Sequence, residues 1–388
     1  MKFFSTFCIA LFFQIHISAQ NFEVSGIVVD AKTKMPVSGA TVFINNTTNF
    51  CITNDSGRFT IVDTTDKMFE IVCTKKGYEN LNHLYKLLPK KYTLRFEITT
   101  AKDHKPAADS LLKKNKEYWE SLFLTELLGV ESSQFCEVAN MDALRFTYID
   151  SAKELHITAA EPLIIFNEKI GYLIHCSFTD FIIKENGNSD NEIFAWYKPL
   201  TSKDADVVNR WFNQRESVYE NSLLHFMRAL YADDLVNQGF NTKFITRIFK
   251  TDSLYKRIDK VMRETDTKLY TLLNAAPYKQ NNYVDLIDKK IIASSYFRNA
   301  DSVVSLQFHH KIMEVIYKKK YYNINDSRPL NSDKFIPASY IVIKDNQKII
   351  IEPSGAFYYP TDIVISGYWS EQKLENMLPT DFRSLYTF

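Results

Sequence analysis

The sequence predicts an all-β sandwich in its N-terminal part, followed by an α+β region. Three observations carry that reading. Between Phe22 and Ile98 short runs alternate apolar and polar residues with period two, and Asn, Asp, Gly and Pro separate them. Further on, the stretches from Asp109 to Gly129 and from Lys203 to Gly239 change to a helical period, while the segments around them return to strand-like runs. Finally, the chain has only 10 glycines in 388 residues beside 14% aromatics, where an average protein carries roughly 7% glycine. That composition favours packed strands and helices over glycine-rich binding loops.

Lys2, the apolar run FCIALFF from Phe7 to Phe13 and the small-residue stretch ISAQ read as a secretory signal peptide over residues 1–19, cleaved next to Gln20. The apolar run is too short to span a bilayer, and no later run reaches roughly 18 uncharged apolar residues, so no transmembrane span is expected in the mature chain. Cys8 lies inside the apolar run, which argues against a lipid anchor there. From 20 to 100 we expect a sandwich of about seven strands. EVSGIVVD opens it. ATVFI alternates Ala40, Val42 and Ile44 against Thr41 and Phe43, and TLRFEIT alternates Leu94, Phe96 and Ile98 against Thr93, Arg95 and Glu97. Pro36 and Gly39 mark one turn, and Asp55 with Gly57 marks the tip of a hairpin.

The residues GIVVD from Gly26, Thr33, PVSGATV from Pro36, TNDSGRF from Thr53 and KGY from Lys76 together resemble the carboxypeptidase regulatory-like domain. That resemblance implies a transthyretin-like sandwich, an accessory packing or binding module with no inherited active site. Such domains occur on secreted and envelope proteins of the Bacteroidetes type, including at the front of TonB-dependent receptors.

Residues 101–116 are polar and contain Pro106, and read as a linker that runs into a helical pattern near Asp109. Residues 117–388 form the α+β region. Leu111, Tyr118, Leu122 and Leu127 set the apolar stripe of its first helix, with Gly129 as the stop. LRFTYI, ELHITAA, PLIIFN, IGYLIHCSFTDFII and EIFAWY then read as strands. Helical period returns from Lys203 and ends at Asn237, Gln238 and Gly239. In the tail, ASYIVIKDNQKIIIEPSG reads as a hairpin turning at DNQK, DIVISGYW as a strand, and SEQKLENMLP as a short helix capped by Ser370. The segment from Phe244 to Lys334 is rich in Lys and Tyr and receives no assignment. Parts of this region are similar to uncharacterised C-terminal regions that accompany the sandwich in Bacteroidetes proteins, which carry the pattern W-x3-R-x3-Y-x-G-S-x2-H-F. Here Trp211, Arg215, Tyr219, Ser222, His225 and Phe226 match, and Asn221 replaces the usual glycine.

The charges nearly cancel, 47 Lys plus Arg against 46 Asp plus Glu, so nothing draws the chain to nucleic acid. The sequence lacks G-x-G-x-x-G, the P-loop, H-E-x-x-H and H-x-x-E, which leaves no expected cofactor and no zinc carboxypeptidase site. His309, His310 and Glu314 are the nearest approach to metal-ligand spacing, with a solvated helix face as the simpler reading. If Val208 to Leu230 were one helix, Val208, Trp211, Phe212, Tyr219, Phe226, Ala229 and Leu230 would form its apolar stripe, with Arg215 and Ser222 in the middle. A guanidinium there needs a carboxylate or carbonyls. Either it fixes the helix in place, or Arg215, Tyr219, Ser222 and His225 line a site for an anion or carboxylate. Ser222 and His225 would also start a hydrolase, the alternative reading, although no G-x-S-x-G elbow surrounds any serine. Cys51, Cys73, Cys136 and Cys176 permit three complete pairings; a bridge from 51 to 73 is weighed against the reading of Cys73 as a buried thiol. Asp-Ser pairs at Asp109, Asp150, Asp252 and Asp301 resemble O-glycosylation sites of exported Bacteroidetes proteins. The aromatics Tyr358, Tyr359, Tyr368 and Trp369 form either a stacking face for sugars and peptides or ordinary core. The function expected is that of an exported, non-enzymatic envelope protein, periplasmic or at the cell surface. Its partner would be an envelope or outer-membrane protein or a surface glycan.

Overall fold

The computed structural model describes residues 22–63, 68–86, 92–101, 109–185, 191–251, 283–288, 292–297, 304–308, 311–318, 338–344, 347–359 and 362–385, with a few single positions between them. The expected signal peptide and residues 102–108 of the expected linker lie outside these residues. The chain is mostly β-strands in sheets with few helices. Seven strands come first: β1 (Phe22–Asp30), β2 (Thr41–Ile44), β3 (Phe50–Ile52), β4 (Arg58–Asp63), β5 (Met68–Thr74), β6 (Leu81–Lys86) and β7 (Tyr92–Ile98). They form two sheets, ordered β4-β1-β7 and β3-β2-β5-β6, with β1 and β7 parallel. Val24, Val28, Val42, Ile71, Cys73, Phe96 and Ile98 fill the space between, as their alternation requires.

Two local details differ from the sequence reading. The NDSGRF turn is not a hairpin, because β3 and β4 belong to different sheets and the turn arches from one to the other. Its anchor is Asn54, whose Oδ1 accepts the amides of Ser56 and Arg58 at 3.0 and 2.9 Å, in place of Asp55. Gly57 takes φ +69°, and a Cβ there would stand 2.5 Å from the Val28 carbonyl oxygen. Phe43, expected on the polar side of β2, is 1% exposed because it packs outside the sandwich against Phe194 and Trp196.

After the sandwich comes α1 (Asp109–Leu128), so the helix starts inside the expected linker. Its buried stripe is Trp119, Phe123, Leu127 and Leu128, while Tyr118, expected to be inside, is 67% exposed. The aromatic floor selects that stripe: Phe123 meets Phe146 and Phe181 edge-on. The floor is built from β8 (Cys136–Val138), β9 (Leu144–Ile149), β10 (Glu154–Ala159), β11 (Leu163–Asn167), β12 (Tyr172–Ser177), β13 (Phe181–Lys184) and β14 (Phe194–Pro199). These make a three-stranded sheet β13-β10-β9 and a four-stranded sheet β14-β12-β11-β8 around one apolar cluster.

Two helices follow, α2 (Ala205–Tyr219) and α3 (Leu223–Tyr231). Then come β15 (Phe240–Phe249), β16 (Tyr283–Ile287), β17 (Val304–Leu306), β18 (Ile312–Tyr317), β19 (Ala338–Ile343), β20 (Ile349–Ile351), β21 (Phe357–Tyr358) and β22 (Ile363–Gly367). Their sheets are β16-β15-β18-β19-β22 and β17-β20-β21, with α3 in the shared core. The expected hairpin about DNQK is therefore wrong: β19 pairs with β18 and β22, and β20 with β17 and β21. Both strands bury alternate residues, and each sheet offers its own partner for them. The expected helix at SEQKLENMLP is two short 3₁₀ turns, Tyr368–Glu371 and Leu374–Asn376, and Ser370 Oγ donates back to the Gly367 carbonyl instead of capping.

The sandwich is fastened to the rest through its β2–β3 turn. Asn46 N–H donates to the Ala195 carbonyl and Tyr197 N–H to the Thr47 carbonyl, which extends the edge of β14 into the turn. The amide of Thr380 then donates to the Asn46 carbonyl, and Thr48 binds the carboxylate of Asp381 through both its amide and its hydroxyl. Phe50, Trp196 and His175 stack in one column at this joint, with ring centroids 3.8 and 3.9 Å apart. All four described cysteines are free. Cys51 and Cys73 both lie opposite Val42, one on each neighbouring strand. Two strand spacings of about 4.8 Å separate them, beyond the reach of a disulfide. Burial pushes the Cys51 thiol up to about 11 and the other three to about 12.

Candidate functional site

Val208 to Leu230 is not one helix. Asn221 turns the chain with φ +65°, so α2 ends and α3 restarts at an angle. A residue with a small polar side chain tolerates that left-handed backbone, as glycine does, which explains why Asn can occupy the position where the similar regions carry Gly. The expected stripe breaks accordingly. Trp211 and Tyr219 are buried, whereas Val208 and Phe212 are 45% and 39% exposed.

The structure brings three of the four expected site residues, Tyr219, Ser222 and His225, to this joint. Arg215 stands one turn before them on α2 and has no carboxylate partner among the described residues. Its guanidinium donates through Nε to the Ile170 carbonyl at 2.6 Å and through a terminal nitrogen to the Gly171 carbonyl at 2.7 Å, and it lies 4.1 Å from the Tyr172 ring centre. Burial lowers its pKa, yet a guanidinium stays charged. Trp211 locks the same turn, donating Nε1–H to the Glu168 carbonyl at 2.9 Å while its indole covers Gly171. A Cβ on Gly171, at φ +66°, would reach 2.4 Å from that indole.

Ser222 is the N-cap of α3, and its Oγ accepts the His225 amide at 3.0 Å. The His225 ring is occupied on both sides. Nδ1 accepts the Asn221 amide at 3.3 Å, which places the proton on Nε2, donated to Gln238 Oε1 at 3.1 Å. The ring stacks on Tyr219 at 4.8 Å and meets Phe240 and Tyr317 edge-on. Tyr219 is 2% exposed, and burial raises its phenol above the ordinary range against the opposing charge of Arg228. With both imidazole nitrogens engaged, a Ser-His proton relay would first have to break a hydrogen bond of the helix joint. An anion would likewise compete with two main-chain carbonyls for Arg215.

Arg228 does more at this joint than the sequence reading assigned to it. It is 5% exposed and donates to the carbonyls of Ser354 at 2.7 Å and of Thr380 and Phe382 at 2.8 Å. One of its terminal nitrogens, Nη1, is buried without a hydrogen-bond partner among the described residues. Its signal was present in LLHFMRALY, a guanidinium set among apolar residues all round a helix turn. Trp369 belongs here too. It is 5% exposed and donates Nε1–H to the Asn221 carbonyl at 2.7 Å. Tyr358 donates to the Met68 carbonyl at 2.6 Å, and of the four expected stacking aromatics only Tyr359 is exposed, at 46%. His309 and His310 lie outside the described residues, and Glu314 stands on β18.

A second polar cluster sits on β10. His156 Nδ1 lies 2.7 Å from Asp180 Oδ2 and Nε2 lies 3.2 Å from Glu154 Oε2, with Lys184 3.4 Å from the other oxygen of Glu154. Burial alone would lower the imidazole pKa, but the two carboxylates outweigh it and hold His156 above its ordinary value.

A paired-sheet module of seven strands, joined to further β structure, is the class of protein these residues define. Residues 24–106 match the family model of the CarboxypepD_reg-like domain, in agreement with the resemblance carried by GIVVD, PVSGATV and NDSGRF. Comparison with curated proteins finds no significant match. Among solved structures, a protein of unknown function from Bacteroides fragilis NCTC 9343, described as membrane-associated, aligns over 90% of this chain and 94% of its own at 9% identity, with a TM-score of 0.17. A 9R-lipoxygenase from Cyanothece PCC8801 aligns over 57% of this chain and 49% of its own at 11% identity, with a TM-score of 0.15. Neither likeness carries an argument at those scores.

Proposed function

We propose that the chain is an exported, non-enzymatic cell-envelope protein whose sandwich and C-terminal region act together as a binding or assembly module for a protein partner. The observation that carries this reading is the engagement of the chemistry-bearing side chains by the chain itself. Arg215 is committed to two carbonyls, Ser222 to a helix cap and His225 to Asn221 and Gln238, so these residues set shape. The CarboxypepD_reg-like match over 24–106 supports an accessory role for the sandwich. The β2–β3 turn supports a joint role for the two parts, because it ties them through main-chain bonds. Photo-cross-linkers placed on exposed positions of the protein in its native envelope are expected to capture one defined protein partner. Envelope polysaccharides in a thermal-shift titration are expected to leave the melting temperature unchanged. Turnover of a peptide or ester by the wild type that disappears in a folded Ser222→Ala protein would overturn the reading in favour of a hydrolase.

A further inference from the structure

The four-stranded sheet β14-β12-β11-β8 has one short strand at its edge. Among the described residues β8 pairs only with β11, at Val138–Ile165, Glu137–Phe166 and Cys136–Asn167. The ladder continues on either side, with Ala139 N–H on the Ile164 carbonyl and Glu168 N–H on the Phe135 carbonyl, both 2.8 to 2.9 Å. Antiparallel pairing alternates, so Glu137 faces β11 with its main chain, as do the Phe135 carbonyl and the Ala139 amide at the two ends, while the Phe135 amide turns back to the Ser132 carbonyl. The amides and carbonyls of Cys136 and Val138 therefore point away from the sheet, and no hydrogen bond takes them up among the described residues.

Beside that edge runs a cleft of about 510 Å³ between the second half of α1 and β8. Leu124, Leu128, Val138 and Met141 supply its apolar lining, with Cys136 at half depth. Serine and threonine hydroxyls fringe it, and its charged lining consists of Glu117 and Glu120 with no Lys, Arg or His. Glu137 and Glu131 are exposed close by in the chain. Nearby lysines are engaged: Lys116, on α1 itself, with Glu120 at 3.5 Å, Lys373 with Glu126 at 3.6 Å, and Lys169 over the Phe135 ring.

An open strand edge next to a helix, with an apolar trough between them, is the geometry in which an extended peptide adds a strand and places alternate side chains in the trough. From this we infer that the cleft between α1 and β8 receives an extended segment of a partner protein that alternates apolar residues with lysine or arginine. Its main chain pairs with Cys136 and Val138, its apolar side chains enter the cleft, and its cations, which point to the opposite face of the added strand, meet the exposed Glu137, whose side chain alternates with those of Cys136 and Val138. The inference rests on the binding-module reading above and names the partner's chemistry.

The probe is a short synthetic peptide alternating valine and lysine, blocked at both ends, added to the full protein. We expect saturable binding, slowing of amide hydrogen exchange at Cys136 and Val138 by about tenfold or more, and slower alkylation of the Cys136 thiol. The valine–glutamate counterpart should not bind. Val138→Pro removes an outward N–H while leaving the β11 bonds in place, and should weaken binding by about tenfold. A valine–lysine peptide N-methylated at alternate residues tests the same bonds with the protein unaltered, and should fail to bind. Glu137→Gln should weaken binding about threefold at low salt, with the difference shrinking as salt rises. Exchange at Cys136 and Val138 that the peptide leaves unchanged, or binding indifferent to N-methylation, overturns the assignment. A native partner cross-linked only to another face overturns it as well, while leaving the binding-module reading in place.

Discussion

At position 221 the backbone requires a positive φ, and the side chain allowed there is decided by that requirement before any contact is considered. Asn221→Gly should therefore be nearly neutral, whereas Asn221→Ala should cost about 1 kcal/mol or more, read from urea unfolding midpoints. Ser222→Ala should cost about 1 kcal/mol through the lost cap, and Ser222→Asp should recover most of it. Arg215→Met should cost about 2 kcal/mol, because two carbonyls lose a charged donor, and Arg215→Lys should restore only part, since an ammonium cannot span both acceptors from one plane. These residues were legible as a group from the spacing of the helical stretch. Their partners were not, because the carbonyls of Ile170 and Gly171 lie in a turn 44 to 45 residues away whose approach no periodicity encodes.

Two strands carry histidines that respond to pH in opposite senses. On β12, His175 is stacked on Trp196, and burial with Lys198 nearby depresses its pKa to about 4. The unfolded chain, with its imidazole near the ordinary value of about 6.5, then binds a proton that the folded chain does not. Stability from this group is full above about pH 6.5 and is lost as pH falls toward about 4. On β10, His156 is held above its ordinary value by Asp180 and Glu154 after burial is offset. Its contribution is full below the unfolded value and is lost as pH rises through the folded one. Thermal unfolding across pH 4 to 8 should show His175→Gln flattening the acid limb and His156→Gln flattening the neutral one. A variant that leaves its limb unchanged would remove that histidine from the account. Strand existence was legible from alternation, as in β7, where Leu94, Phe96 and Ile98 are buried and Arg95 and Glu97 are not. Pairing was less so: β19 and β20 look like a hairpin in sequence and belong to different sheets.

Across the whole molecule, a short C-terminal segment closes the structure. Thr380 bonds Asn46, Asp381 bonds Thr48, Arg228 holds the carbonyls of Thr380 and Phe382, and Glu216 accepts from Ser384 Oγ and the Leu385 amide. One strap thus touches the sandwich turn, α2 and α3. Removing residues 379–388 should uncouple the sandwich, so that calorimetry resolves two transitions where the intact chain gives one. A single transition at an unchanged temperature would show the strap to be dispensable.

The sequence by itself determined the seven-strand sandwich, the helical stretches and the period-two runs of the remainder, because hydrophobic alternation is a local property that each strand or helix carries in its own residues. It also marked residues such as Arg215 that need a partner. Only the tertiary structure decided which strands pair, which face of α1 is inside, that Phe43 and Trp369 are core, and that Cys51 and Cys73 stand two strands apart. Those outcomes depend on surfaces brought together from distant parts of the chain. There the winning arrangement is set by which aromatic faces fit and which main-chain groups find partners, and no single segment contains that information.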